Sequence, residues 1–166
     1  MRRLRLVPAL AALLLAAACG SGGAPEAIPQ PQPVTVESVG HYCGMALNEH
    51  NGPKGQLFLT GRAAPVWFSS IKQVFAYTLL PEEPKTISAI YVNDMSTAGP
   101  DGVPDPAAWV EARQAFYVIE GGFIGGMGAE DAMPFSRRAD AESFAQAHGG
   151  RVVPFADVPE AYVFAQ

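Results

Sequence analysis

The apolar stretch Leu6–Ala18 follows Arg2, Arg3 and Arg5 and stops at Cys19. At 13 residues it falls short of the span a membrane-crossing helix needs, about 20. A basic start followed by a short apolar run is the pattern of a secretory signal. The small residues Ala16, Ala17 and Ala18 directly before Cys19 resemble a bacterial lipobox, at which the cysteine is lipidated and becomes the new N-terminus. Plain cleavage after Ala18, leaving Cys19 a free thiol, is the alternative. On either reading residues 1–18 take no part in the fold, and 148 of the 166 residues remain to build it.

No later apolar run approaches a membrane span, so attachment to a membrane comes through Cys19. Three of the 11 Lys and Arg residues lie in the signal and none of the 16 acidic ones do, which moves the net charge from −5 to −8. A body of that charge is not held on anionic headgroups, whereas two acyl attachments at one cysteine are enough for a stable anchor. With no cationic cluster beyond the start, nucleic-acid binding is excluded. The chain has two cysteines, too few for a disulfide framework or a Cys-rich zinc site.

Residues 19–37 read as a flexible tether. Their tract Ile28-Pro29-Gln30-Pro31-Gln32-Pro33 favours extended backbone and cannot build a core. Beyond it the apolar content rises. Gln56–Thr60 and Pro65–Phe68 are predicted as short strands. Ser69 or Ser70 can cap a helix with Ile71, Val74, Phe75 and Thr78 on one face, and Pro81 and Pro84 end it. Thr86–Val92 is a third strand. The order then returns: Gln114–Glu120 as a strand, a glycine-rich turn, and Pro134-Phe135-Ser136. A helix capped by Ser136 and running to His148 follows, and then an edge strand Arg151–Phe155 carrying Pro154. The expected fold class is α+β, with two tandem ββαβ units: 38–100 and 101–166. One α+β domain with coincidental similarity is the alternative.

The chemistry concentrates in His41-Tyr42-Cys43-Gly44-Met45. With Cys19 lipidated, Cys43 has no partner to pair with in an oxidising compartment. A thiolate and a thioether are both soft donors, and soft donors select Cu(I). Gly44 lets the backbone fold tightly enough for the sulfurs of Cys43 and Met45 to face one point. His41 adds a borderline nitrogen donor. A second thioether, Met127, stands between glycines in Gly121-Gly122-Phe123-Ile124-Gly125-Gly126-Met127-Gly128, away from any periodic apolar face. Met95 and Met133 are further candidates that read more readily as packing. His50 and His148 read as solvated or helix-end residues. Two other readings stay open: a thiol-dependent enzyme built on Cys43 and a base, or a non-catalytic envelope binding lipoprotein whose methionines are core.

Taken together, the residues resemble the NosL family of lipoproteins. The resemblance runs from about His41 to Val163. It is carried by Cys43-Gly44-Met45, Gly52-Pro53-Lys54-Gly55-Gln56, Phe75-Ala76-Tyr77-Thr78, Tyr91-Val92-Asn93-Asp94-Met95, Ala112–Val118, Gly125-Gly126-Met127-Gly128 and Gly149-Gly150-Arg151-Val152. It implies two small ββαβ domains and a Cu(I)-binding protein on the periplasmic side of the envelope. It further implies a metallochaperone, not an enzyme, that supplies copper to nitrous oxide reductase alongside a membrane ABC transporter complex. The implied ligands are Cys43, Met45 and Met127, with His41 ranked below them.

Overall fold

The structure is a computed structural model that describes residues 27–165; the signal and Cys19 lie outside the described residues. The first sheet is antiparallel, in the order β2-β1-β3-β4, with β1 Gly55–Leu59, β2 Val66–Phe68, β3 Ile87–Asn93 and β4 Trp109–Glu111. The second has the order β6-β5-β7, with β5 Phe116–Ile119, β6 Met133–Phe135 and β7 Arg151–Pro154, again antiparallel. Helix α1 (Ile71–Leu79) joins β2 to β3, and α2 (Arg138–His148) joins β6 to β7. In each sheet the first strand of its unit is central and is flanked by the strands on either side of the helix. β4 falls after residue 100, where the second unit was expected to have begun, yet it pairs with β3 and completes the first sheet.

Strand alternation decides which faces are buried. Leu57 and Leu59 on β1, with Ile90 and Val92 on β3, face α1. Phe58, Ala89 and Tyr91 point the other way into a small second cluster. On β5, Tyr117 and Ile119 turn toward α1 while Val118 turns toward α2, beside Met133, Phe135 and Ala141. Helix α1 therefore lies between the two sheets. Phe75 meets Tyr117 edge-on at 4.9 Å between ring centroids and Phe155 at 4.8 Å. Such aromatic pairs contribute about 1 kcal/mol each beyond burial. A helix packed on two sides buries more than a stripe, so Tyr77 is buried as well, whereas Thr78 is half-buried with its hydroxyl donating to Phe75 O at 2.7 Å. Met95 and Met133 are buried packing residues.

Ser70 caps α1, accepting from Gln73 N at 3.4 Å. The expected cap of α2 is corrected. Its N-cap is Arg137, without a side-chain bond; Ser136 stands one residue before it, where its N–H donates to Asp94 Oδ1 at 2.8 Å. A short helix α3 (Glu160–Val163), not expected from the sequence, packs against α1.

The tether is also corrected over its last part. Buried Gln56 accepts from Gln32 N at 2.8 Å and donates to Gln32 O at 3.0 Å, and Tyr91 Oη donates to Pro29 O at 2.8 Å. A polar side chain at the centre of a sheet must find partners, and an extended proline-rich strap with free carbonyls supplies them. Replacing Gln56 by alanine is expected to cost about 1–2 kcal/mol and to accelerate amide exchange of residues 30–32, read by hydrogen-exchange mass spectrometry.

Candidate metal centre

Cys43 sits in a tight turn. Gly40 N donates to Met45 O at 2.9 Å, and Gly44 N donates to Gly40 O at 2.8 Å. Gly44 takes a left-handed φ of +66°, which a side chain would resist. The turn is tied to the first sheet by His41 N donating to Trp67 O at 2.8 Å. It leaves Cys43 half-buried and Met45 41% exposed. The Cys43 sulfur lies 3.5 Å from Ser69 Oγ, just ahead of α1, and 4.0 Å from His50 Nε2.

The second thioether comes from the loop between β5 and β6. Met127 is 41% exposed at its tip. The loop closes on itself through Gly125 N to Ala129 O at 2.9 Å, Gly128 N to Gly125 O at 3.0 Å and Asp131 N to Phe123 O at 2.9 Å. Asp131 fastens its base to the first unit. Its carboxylate accepts from Ile71 N at 3.0 Å, Lys72 N at 2.8 Å and Ala132 N at 2.9 Å. Burial pushes that carboxyl up to about 6, against the pull of the three amides and the Lys72 charge.

His50 connects the two turns. Its Nδ1 lies 3.0 Å from Gly126 O. A carbonyl only accepts, so the proton of the neutral ring sits on Nδ1, and Nε2 is left with a free lone pair toward Cys43. The approach is close because residue 126 is glycine: a β-carbon there would lie 2.6 Å from His50 Cβ and 2.8 Å from Asn51 O. Cys43, His50 and the Met127 loop are thus neighbours, although 76 residues separate His50 from Gly126.

His41 is placed differently. Its Nε2 meets Glu83 Oε1 at 3.0 Å, and its ring packs edge-on against Tyr42 and Tyr77. To ligate a metal through that nitrogen it would have to give up this pairing. The imidazole beside Cys43 is His50, which by sequence reads as a solvated or helix-end residue. The available signal was the lysine four residues on, in Gly52-Pro53-Lys54-Gly55. His148 is exposed at the end of α2, stacked on Phe144 at 4.4 Å. Among the described residues, no three His, Cys, Asp or Glu side chains gather into a metal-binding group, so a metal here would draw on the thioethers.

The NosL family profile matches residues 31–163, which takes in both sheets and every residue of this centre. The chain belongs to the NosL family. A copper-binding lipoprotein NosL from Achromobacter cycloclastes is 46% identical over 162 residues, covering 97% of this chain and 83% of its own length. The protein of the same name from Stutzerimonas stutzeri is 32% identical over 154 residues, covering 92% and 79%. The crystal structure of the copper chaperone NosL from Shewanella denitrificans superposes with a TM-score of 0.73 at 32% identity, covering 80% of this chain and 98% of the other. The solution structure of apo-NosL from Achromobacter cycloclastes gives 0.50 at 43% identity, covering 66% and 87%. The α+β NosL fold with its two antiparallel sheets is therefore the fold of this chain.

Proposed function

We propose that this NosL-family chain is a Cu(I) carrier of the cell envelope. It holds one ion between the Cys43 turn and the Met127 loop and passes it on by ligand exchange. The observation that carries this reading is the contact chain from Cys43 Sγ to His50 Nε2 and from His50 Nδ1 to Gly126 O, which brings two sulfur-bearing turns of the two units side by side. The proposed donors are the Cys43 thiolate, the Met45 and Met127 thioethers, and the His50 imidazole in place of His41. The naming of its relatives as copper-binding lipoproteins supports the metal. The softness of the donors favours the monovalent state over harder divalent ions.

Transfer follows from ligand strength. The neutral thioethers, half-exposed to solvent, are displaced first by the acceptor's donors, and the anionic thiolate last. In this reading lipidation at Cys19 keeps the body at the periplasmic face of a membrane, the acceptor is nitrous oxide reductase, and a membrane ABC transporter complex takes part in the hand-over. A competition titration against a Cu(I) chelator is expected to show one tight site. Met45→Ala and Met127→Ala each weaken it about tenfold. A titration with no stoichiometric Cu(I) uptake would end the carrier reading. In cells, Cys43→Ser is expected to leave nitrous oxide reductase copper-deficient, measured by metal analysis of the purified enzyme.

The Cys43–His50 pair also favours one rival, a thiol nucleophile with its base. The two readings part in the copper-free protein. A nucleophile of this kind alkylates at a rate governed by the His50 ring, so that His50→Gln slows it sharply. A carrier thiol reacts with little dependence on that residue.

A further inference from the structure

Lys54 is the only buried lysine among the described residues, 7% exposed. Its ammonium forms no ion pair among the described residues. It donates instead to three successive backbone carbonyls, those of His50 at 2.7 Å, Asn51 at 3.2 Å and Gly52 at 2.6 Å. An ammonium has three N–H bonds, and all three are used on one turn. The Lys54 backbone is itself pinned to β3, its N–H donating to Asn93 Oδ1 at 2.8 Å and its carbonyl accepting from Asn93 N at 3.0 Å. Burying an ammonium is costly, and desolvation pushes Lys54 down to about 8, against the opposing pull of the Asp131 charge.

The outer side of the same turn carries the joint of the candidate centre. His50 reaches Cys43 and Gly126, Asn51 backs onto Gly126, and Gly52 lies under Phe123, whose ring would be 3.1 Å from a β-carbon at residue 52. Without the cation, three carbonyls converge with nothing to separate their partial negative charges. The turn would open, carrying His50 and the seat of the Met127 loop with it.

We propose that Lys54 is a positioning residue for copper: its ammonium holds the 50–52 turn in the one shape that seats the Met127 loop against the Cys43 turn. This rests on the carrier reading above. Lys54 touches no copper and acts through His50 and Gly126.

The test is a double-mutant cycle on the full chain, with Cu(I) competition titration as readout and Cys43→Ser as reference. Lys54→Met and Met127→Ala are each expected to weaken Cu(I) binding about tenfold, and Met127→Ala to cost less than about twofold once Lys54→Met is present. X-ray absorption of the Cu(I)-loaded Lys54→Met protein is expected to count one sulfur fewer than wild type. Additive losses, or unchanged affinity and sulfur count, would overturn the proposal. If Lys54→Met does not fold by circular dichroism, Gly126→Ala forces the same joint apart with Lys54 intact, and the same outcomes decide. Cys43→Ser with wild-type binding would mean that the carrier reading has failed. Loss of binding in Cys43→Ser together with an additive cycle would mean that only the role of Lys54 has failed.

Discussion

Cys43→Ser is expected to lower Cu(I) affinity by roughly two to three orders of magnitude, beyond the ten- to hundredfold typical of losing an outer-shell partner. Cys43 supplies the one anionic soft donor of the proposed set. The thioethers and the imidazole are neutral, and a serine hydroxyl neither ionises at neutral pH nor matches copper in softness. The substitution is well suited to the question because the fold does not depend on the sulfur. Cys43 is half-buried, and its turn is closed by backbone bonds among Gly40, Gly44 and Met45. Serine is expected to leave the thermal midpoint within a few degrees of wild type. A pH series adds a second signature. Proton and metal compete for the same sulfur, so wild-type affinity rises with pH, and the serine variant loses that slope.

Asp131→Ala is expected to destabilise the protein by about 3 kcal/mol at pH 5, with urea unfolding as the measurement that checks it. The Asp131 carboxyl group caps α1 from outside its own unit, so its loss removes a helix cap and leaves the amides of Ile71, Lys72 and Ala132 without their acceptor oxygens. It also frees the base of the Met127 loop, so Cu(I) binding at the proposed site is expected to weaken along with stability. The pH dependence has a definite sign. The folded carboxyl titrates at about 6, against 3.8 unprotected. Its folded value is raised, so its contribution is fully present below the unfolded value and is lost as pH rises through about 6. The loss approaches about 3 kcal/mol, at about 1.4 kcal/mol per pH unit of displacement. Unfolding curves at pH 4.5 and 7.5 are expected to show a larger fall in stability for wild type than for Asp131→Asn, which keeps an acceptor oxygen and cannot ionise. An equal fall in both would mean that Asp131 does not titrate in this range.

The elements that could be read along the chain are those whose burial repeats locally. The continuous apolar run Leu57-Phe58-Leu59 marks β1, the spacing of Ile71, Val74 and Phe75 marks α1, and the aromatic and β-branched run of β5 marks the second unit. The recurrence of strand, strand, helix and strand was visible for the same reason, and the two sheets share the resulting arrangement. β4 escaped notice because three half-buried residues carry too little pattern. The docked strap escaped because its proline-rich composition describes an unpaired backbone. Only Gln56 and Tyr91, 24 and 62 residues further on, reveal what that backbone meets.

The sulfur donors of the proposed site are legible in residue identity. A thiol, a thioether next to one glycine, a thioether between two, and turns tight enough to present them are properties of a few neighbouring residues. Which of them meet was a different matter. His50 rather than His41 lies beside Cys43 because α1, capped by Asp131 from the opposite unit, draws the β5–β6 loop over the turn that Lys54 holds. The Cys43–His50 approach itself spans seven positions, but the contacts that bring the opposite unit to it, from Asp131 to Ile71 and from His50 to Gly126, join residues 60 and 76 positions apart. They exist only once two sheets have closed on a shared helix, and no local periodicity encodes a distance of that kind.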